Sequence, residues 1–172
     1  KSKSTFDADE VYLSSKRHMK RMNSDDILEI HKSMIKFIDL ESNLNLIDIG
    51  CGFGEFLKIL YAKSNLKLYG LEKSSKLAKY CQDKLSDKIS IFDDDLIDFA
   101  KSGNQKYNYI TLSGVHPTIR NLDTLWEAIS KISTKNTKVL INGPFSRRDV
   151  SLYAEWKYDN KEGLNTGWDL HS

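Results

Sequence analysis

The sequence is poor in cysteine and proline, with two of each in 172 residues. Two cysteines are too few for the disulfide framework of a small secreted domain. Cys51 and Cys81 therefore point to a reducing, cytoplasmic setting. Neither a C-x-x-C nor an H-E-x-x-H pattern occurs, so no metal site is signalled. No run of about 18 apolar residues exists, so no transmembrane helix and no membrane partner are expected. Lys1 to Glu10 carry no apolar stretch, which argues against a secretory signal there. An excess of one charge is also missing: 26 Lys and Arg stand against 24 Asp and Glu. That balance argues against a dedicated nucleic-acid binder. One basic cluster, Lys16, Arg17, His18, Lys20 and Arg21, reads as the solvated face of a helix, with an acidic substrate or membrane surface as the alternative.

What is present suits a globular fold. With 40% hydrophobic and 29% charged residues, the chain is far from disordered composition. A chain of this length is one domain at roughly 100–200 residues per domain, and it buries about two-thirds of its unfolded surface.

A helix is expected from Ser24, with Asp25 and Asp26 suited to its positive end. Its apolar stripe is Ile27, Ile30, Met34, Phe37 and Ile38. The pattern then alternates between short apolar runs and helical stripes. Strands are expected at Leu44 to Ile49, Leu66 to Leu71 (ending in Glu72), Ile89 to Phe92, Tyr107 to Leu112 and Val139 to Ile141. Helices are expected from Phe56 to about Ser64, after a cap at Ser74 or Ser75, around Leu96 to Lys101, and over Leu122 to Ile132. Uninterrupted apolar strands alternating with helices imply right-handed βαβ units around a buried parallel sheet. The fold expected is a three-layer αβα sandwich, and in such folds ligands bind beyond the carboxyl ends of the strands.

The chemistry-bearing residues fall at that edge. Asp48-Ile49-Gly50-Cys51-Gly52-Phe53-Gly54-Glu55-Phe56 follows the first strand. Glycines there permit a tight turn and a close approach to a ligand, and the next helix offers free N–H groups. A dinucleotide loop would need a glycine where Glu55 stands, and a carboxylate there opposes a pyrophosphate. An NAD-dependent oxidoreductase is disfavoured on that ground. Glu72, at the end of the second strand, suits hydrogen bonds from two ribose hydroxyls; taken alone, it would read as a helix cap.

Four segments in order, IDIGCGFGEF, LYGLE, IFDDDL and YNYITLSGV, resemble the class I S-adenosylmethionine-dependent methyltransferases, from about Leu44 to Phe145. The resemblance implies a mostly parallel, Rossmann-like sheet and S-adenosylmethionine as cofactor, with S-adenosylhomocysteine as product. It implies that Asp48, Gly50, Cys51, Gly52, Phe53 and Gly54 surround the methionine and ribose. Glu72, with Lys73 beside it, would hold the ribose hydroxyls. Asp95 and the Leu96 backbone would meet the adenine edge, with Asp94 as the one-residue alternative; an acidic loop with a helix cap is the other reading. Ser113, Gly114 and Val115 would lie beside the methionine amino group.

Methyl transfer from a sulfonium needs alignment more than proton transfer. A base is required only for an acceptor that must lose a proton. His116 is the best-placed candidate base, its ordinary pKa of about 6.5 suiting neutral pH; the competing reading is a loop histidine that closes the pocket. His18, His31 and His171 read as surface or helix-face residues. For the acceptor, Tyr12 from the N-terminal segment and Arg147, Tyr153 and Trp156 beyond Pro144 suit a planar or sugar-like molecule. Edge packing or a homodimer contact is the alternative. The stretch Ile141 to Phe145, Asp149 and Gly167-Trp168 resemble methyltransferases encoded with surface-polysaccharide genes, which implies a sugar acceptor.

The organisation expected is one domain over 1–172: an N-terminal helical segment 1–43, a cofactor-binding core 44–145, and a substrate-side or partial C-terminal segment 146–172. The activity expected is methyl transfer to an oxygen of a small molecule or carbohydrate, the alternative being a catalytically silent cofactor-binding or protein-interaction module. The family sheet has seven strands, yet 146–172 shows no clear strand pair. The expectation is a trimmed chain, a fragment, or a five-stranded variant cut short after the fifth strand.

Overall fold

The computed structural model describes residues 29–103, 105–115, 119, 121–143, 152–156 and 166–170, with the backbone alone at 30, 152–156 and 166–170. Elements run α1 (Glu29–Ile35), β1 (Asn45–Ile49), α2 (Glu55–Lys63), β2 (Lys67–Glu72), α3 (Ser75–Lys84), β3 (Ser90–Asp93), α4 (Leu96–Ser102), β4 (Tyr107–Ser113), α5 (Leu122–Ile132), β5 (Ser133–Asn142), β6 (Leu152–Trp156) and β7 (Thr166–Leu170). Strands β1 to β5 form one sheet in the order β3-β2-β1-β4-β5, and every pairing in it is parallel.

Strand alternation splits the core in two. Leu46, Leu68 and Tyr109 pack with Phe56, Leu57 and Leu60 of α2 and Cys81 of α3 on one face. Ile47, Ile49, Leu71, Ile110 and Leu112 pack with α4 and α5 through Phe99, Leu125 and Ile129 on the other. Successive side chains of a strand point to opposite faces, so each strand feeds both helix layers and the sandwich has three layers. No helix among the described residues is long and apolar enough to cross a membrane.

The structure adds to or corrects four expectations. The start of the first helix at Ser24 lies outside the described residues, and α1 ends at Ile35. Phe37 therefore leaves the stripe and stands 62% exposed, while Met34 and Ile38 are buried. Of the two readings of His31, surface or helix face, the second holds: it lies on α1, is buried, and its ring stacks on Phe56 at 5.0 Å. β5 starts at Ser133, well before the apolar run at Val139, because hydroxyls rather than apolar residues hold its first half. Thr137 Oγ1 donates to the Tyr107 carbonyl at 2.6 Å, and the Thr134 N–H donates to Thr137 Oγ1 at 2.7 Å. Last, the tail does contain a strand pair: β6 and β7 are antiparallel and form a separate two-stranded sheet. Its register sets Leu152 against Leu170, Ala154 against Trp168 and Trp156 against Thr166, a period-two match that a polar average over the segment conceals.

Candidate functional site

The sheet order reverses direction between β1 and β4, so the carboxyl ends of these two strands flank the crevice at the topological switch point. The loops after β1, β2, β3 and β4 all open there, and they carry most of the predicted site residues.

The glycine loop is held from both sides. The Gly50 and Cys51 N–H groups both donate to the Leu71 carbonyl, at 2.7 and 3.1 Å, and Gly54 N–H donates to Cys51 O at 2.8 Å. Gly50 has φ +65°, and a Cβ built there would lie 2.3 Å from Val115 Cγ2. The position thus needs glycine twice, for its left-handed backbone and for the close approach of the loop after β4. Gly54 precedes α2 and gives no side-chain cap to the helix. Phe53 is buried against Leu77 and Tyr80.

Glu72 is nearly buried. Its Oε2 accepts the Gly52 N–H at 2.8 Å and its Oε1 accepts the Ser74 N–H at 2.9 Å. One carboxylate therefore ties the glycine loop to the start of α3, while each oxygen keeps a second acceptor site. Ser74 is the N-cap of α3, accepting from Leu77 N–H. Lys73 beside it is exposed and reaches Asp95 at 3.8 Å, a pair worth little in water.

Asp48 is buried at the end of β1. Thr111 of β4, itself fully buried, donates from Oγ1 to Asp48 Oδ1 at 2.6 Å. Burial pushes the Asp48 carboxyl up to about 7; the Thr111 hydrogen bond opposes that rise and the Glu72 charge adds to it. Cys51 and Cys81 are buried free thiols. Cys81 Sγ donates to the Gly52 carbonyl at 3.0 Å. The Cys51 thiol is driven well above its ordinary range by its hydrogen bond with Cys81 and by burial.

After β3 the acidic run is split by role. Asp93 accepts from Ser75 Oγ at 3.0 Å, Asp94 Oδ1 accepts from the Asp95 N–H at 2.8 Å, and Asp95 caps α4 by accepting from Ile97 N–H at 2.9 Å. The second oxygen of Asp95 faces Lys73 at 3.8 Å, and Leu96 is buried. After β4, Ser113 is half-buried and the Gly114 N–H donates to the Asn142 carbonyl of β5 at 2.7 Å. His116, Tyr12 and Arg147 lie outside the described residues, and Tyr153 and Trp156 are placed only as positions on β6.

The roles of Thr111 and Asn142 and the contact of Val115 with Gly50 are absent from the expectations drawn from sequence, whereas Ser74 is the helix cap expected there. Thr111 alone left a signal: it is the one polar residue in the apolar run Tyr109 to Leu112, and a buried polar group requires a partner.

Two buried carboxylates flanking a glycine loop would repel a phosphate. They suit a ligand that brings hydroxyls and positive charge.

A family model described as methyltransferase domain matches residues 15–171. Among solved structures, the chain is similar to the glycopeptide N-methyltransferase MtfA complexed with S-adenosylmethionine (TM-score 0.65, 11% identity, 82% of this chain and 75% of that one). It is similar to an S-adenosylmethionine-dependent methyltransferase from Thiobacillus denitrificans in complex with S-adenosylhomocysteine (TM-score 0.63, 13% identity, 84% and 58%). It is also similar to StiE O-MT (TM-score 0.60, 23% identity, 84% and 50%). At these identities the likeness is one of fold. No curated protein sequence matches the chain.

Proposed function

Because this chain belongs to the methyltransferase-domain family, as a class I S-adenosylmethionine-dependent methyltransferase, we propose that it transfers the methyl group to an oxygen of a small molecule or carbohydrate. The observation that carries the cofactor side of the reading is the pair of buried acids, Asp48 and Glu72, at the carboxyl ends of β1 and β2 on either side of the glycine loop. The cofactor supplies an electrophilic methyl on a sulfonium, with a neutral thioether as leaving group.

The chain's own residues bind, orient and exclude water. Glu72 offers its remaining lone pairs to the two ribose hydroxyls. Asp48 faces the positive charge of the methionine portion, and the backbone of Gly50 to Gly54 lies along it. Asp95 or Asp94, with the backbone of Leu96, meets the adenine edge. Ser113 and Gly114 present polar groups to the methionine ammonium, with Val115 closing the loop against Gly50. Holding acceptor oxygen, methyl and sulfur in line provides the rate enhancement through proximity and orientation. His116 takes the proton that an acceptor hydroxyl loses. Tyr12, Arg147, Tyr153 and Trp156 form the acceptor side, by stacking and by hydrogen bonds to polar substituents.

The structural neighbours include both an N- and an O-methyltransferase, so the oxygen acceptor rests on this chain's own residues, His116 and the aromatic tail. Calorimetry with S-adenosylhomocysteine is expected to give micromolar binding, and folded protein that binds neither form of the cofactor refutes the reading. A methylation screen over sugars, nucleotides and phenols then identifies the acceptor. His116→Ala is expected to abolish turnover with cofactor affinity retained; unchanged turnover removes the base role.

A further inference from the structure

The middle of β4 contains a hydroxyl that packing does not require. Thr111 has no exposed surface and sits between the buried Ile110 and Leu112. A valine would fill the same volume without burying a polar group. In the sheet, Thr111 is the register partner of Asp48 across the β1–β4 pair. Two acceptors lie near its Oγ1: Asp48 Oδ1 at 2.6 Å and the Ile47 carbonyl at 3.4 Å. The shorter distance is that of a hydroxyl donating to a charged carboxylate, and the longer exceeds an ordinary O–H···O bond. An ionised Oδ1 is the stronger acceptor, so this hydrogen bond favours the charged form of Asp48.

The groups acting on the Asp48 charge from the surrounding elements are Thr111 of β4 and Glu72 of β2; the Cys51 thiol of the loop feels that charge and is itself hydrogen-bonded with Cys81 of α3. Glu72 opposes the Asp48 charge, and Thr111 supports it.

We propose that Thr111 is a positioning residue for the cofactor: its hydroxyl holds the Asp48 carboxylate in the orientation and ionised form that meets the cofactor's positive charge. The proposal rests on the functional reading above and names a residue through which cofactor affinity depends on pH. An ionised Asp48 attracts the sulfonium and ammonium groups, whereas a protonated one must first lose its proton. Affinity is thus expected to fall as pH drops below about 7.

The test is calorimetry with S-adenosylmethionine across pH on wild type, Thr111→Val and Thr111→Ser. Valine removes the hydrogen bond, so the pH midpoint of binding should rise by about one unit and affinity near neutral pH should fall about tenfold, recovering as pH rises. Serine restores the hydroxyl and should keep the wild-type midpoint. If Thr111→Val does not fold, Thr111→Ala against Thr111→Ser gives the same contrast, with the midpoint raised by alanine alone. The proposal is overturned if the hydroxyl-free variant keeps the wild-type midpoint, or loses affinity equally at every pH, since that is what lost packing alone produces. Wild-type protein that binds the cofactor at no pH refutes the functional reading itself, which separates the two failures.

Discussion

The Gly52 N–H donates to Glu72 Oε2 at 2.8 Å, joining the loop after β1 to the last residue of β2 across 20 positions of sequence. The other carboxylate oxygen receives the Ser74 N–H at 2.9 Å. Glu72 thus ties the glycine loop to the start of α3. Its role at the ribose is built onto a brace.

That double duty predicts a compound defect for Glu72→Ala. Two backbone N–H donors lose a charged acceptor, which costs on the order of 1–3 kcal/mol of stability. Cofactor affinity is expected to drop at least about tenfold, because bonds to a charged acceptor are lost as well. Denaturant unfolding reads the first effect and calorimetry the second. Lost stability with unchanged affinity would leave Glu72 as a brace alone.

Gly50 and Gly52 are both left-handed, yet their surroundings differ. A Cβ at Gly50 would lie 2.3 Å from Val115 Cγ2, whereas one at Gly52 would meet nothing within 4 Å. Gly52→Ala should therefore cost only the backbone strain, about 1–2 kcal/mol. Gly50→Ala should cost more, because the loop after β4 must also move. Adding Val115→Ala to Gly50→Ala should recover the steric part and not the backbone part. Equal unfolding midpoints for the two single variants would contradict the packing described.

Asp48 also predicts a pH dependence of stability. Its carboxyl is raised from 3.8 to about 7 in the folded protein. The folded state thus holds the proton more tightly than the unfolded chain. The stabilisation from that proton is complete below about pH 4 and is lost as pH rises through about 7. Asp48→Asn cannot titrate, so its stability relative to wild type should climb over that window by on the order of 2–4 kcal/mol. It should lose cofactor binding at the same time. Chemical unfolding at several pH values measures the gap, and a gap constant with pH would rule out a buried, titrating Asp48.

The two thiols should be inert in the native protein. Cys51 and Cys81 are both buried, and the Cys51 thiol is held far above its ordinary range by Cys81 and by burial, so little thiolate forms. An aromatic disulfide reagent is expected to label neither under native conditions and both in denaturant. Rapid native labelling would mean that the glycine loop opens readily.

Much of the sheet was legible because its signals are local. The runs at Leu46 to Ile49 and Tyr109 to Leu112 are apolar except for Asp48 and Thr111, the pair that meets across the sheet, since both faces of a parallel sheet are covered. The glycine spacing after β1 marks a turn because left-handed backbone disfavours any other residue. The strand pair in the tail was missed, although Leu152, Ala154 and Trp156 alternate with polar positions, because the segment is polar on average. The early start of β5 was missed because Thr134 and Thr137 carry no apolar pattern; a hydroxyl bond to the Tyr107 carbonyl holds that end.

By itself, the sequence determined the order of strands and helices, the glycine loop, and the acids at Asp48 and Glu72. Periodicity, turn chemistry and spacing act over a few residues and need no knowledge of what lies across the sheet. Tertiary structure decided which groups those acids meet. Thr111 reaches Asp48 from 63 positions away, His31 is buried against Phe56, and Val115 closes on Gly50. Each of these contacts exists only because β4 lies beside β1 and the helices cover the sheet. Burial then changes the chemistry, turning an ordinary aspartate into a group that titrates near neutral pH.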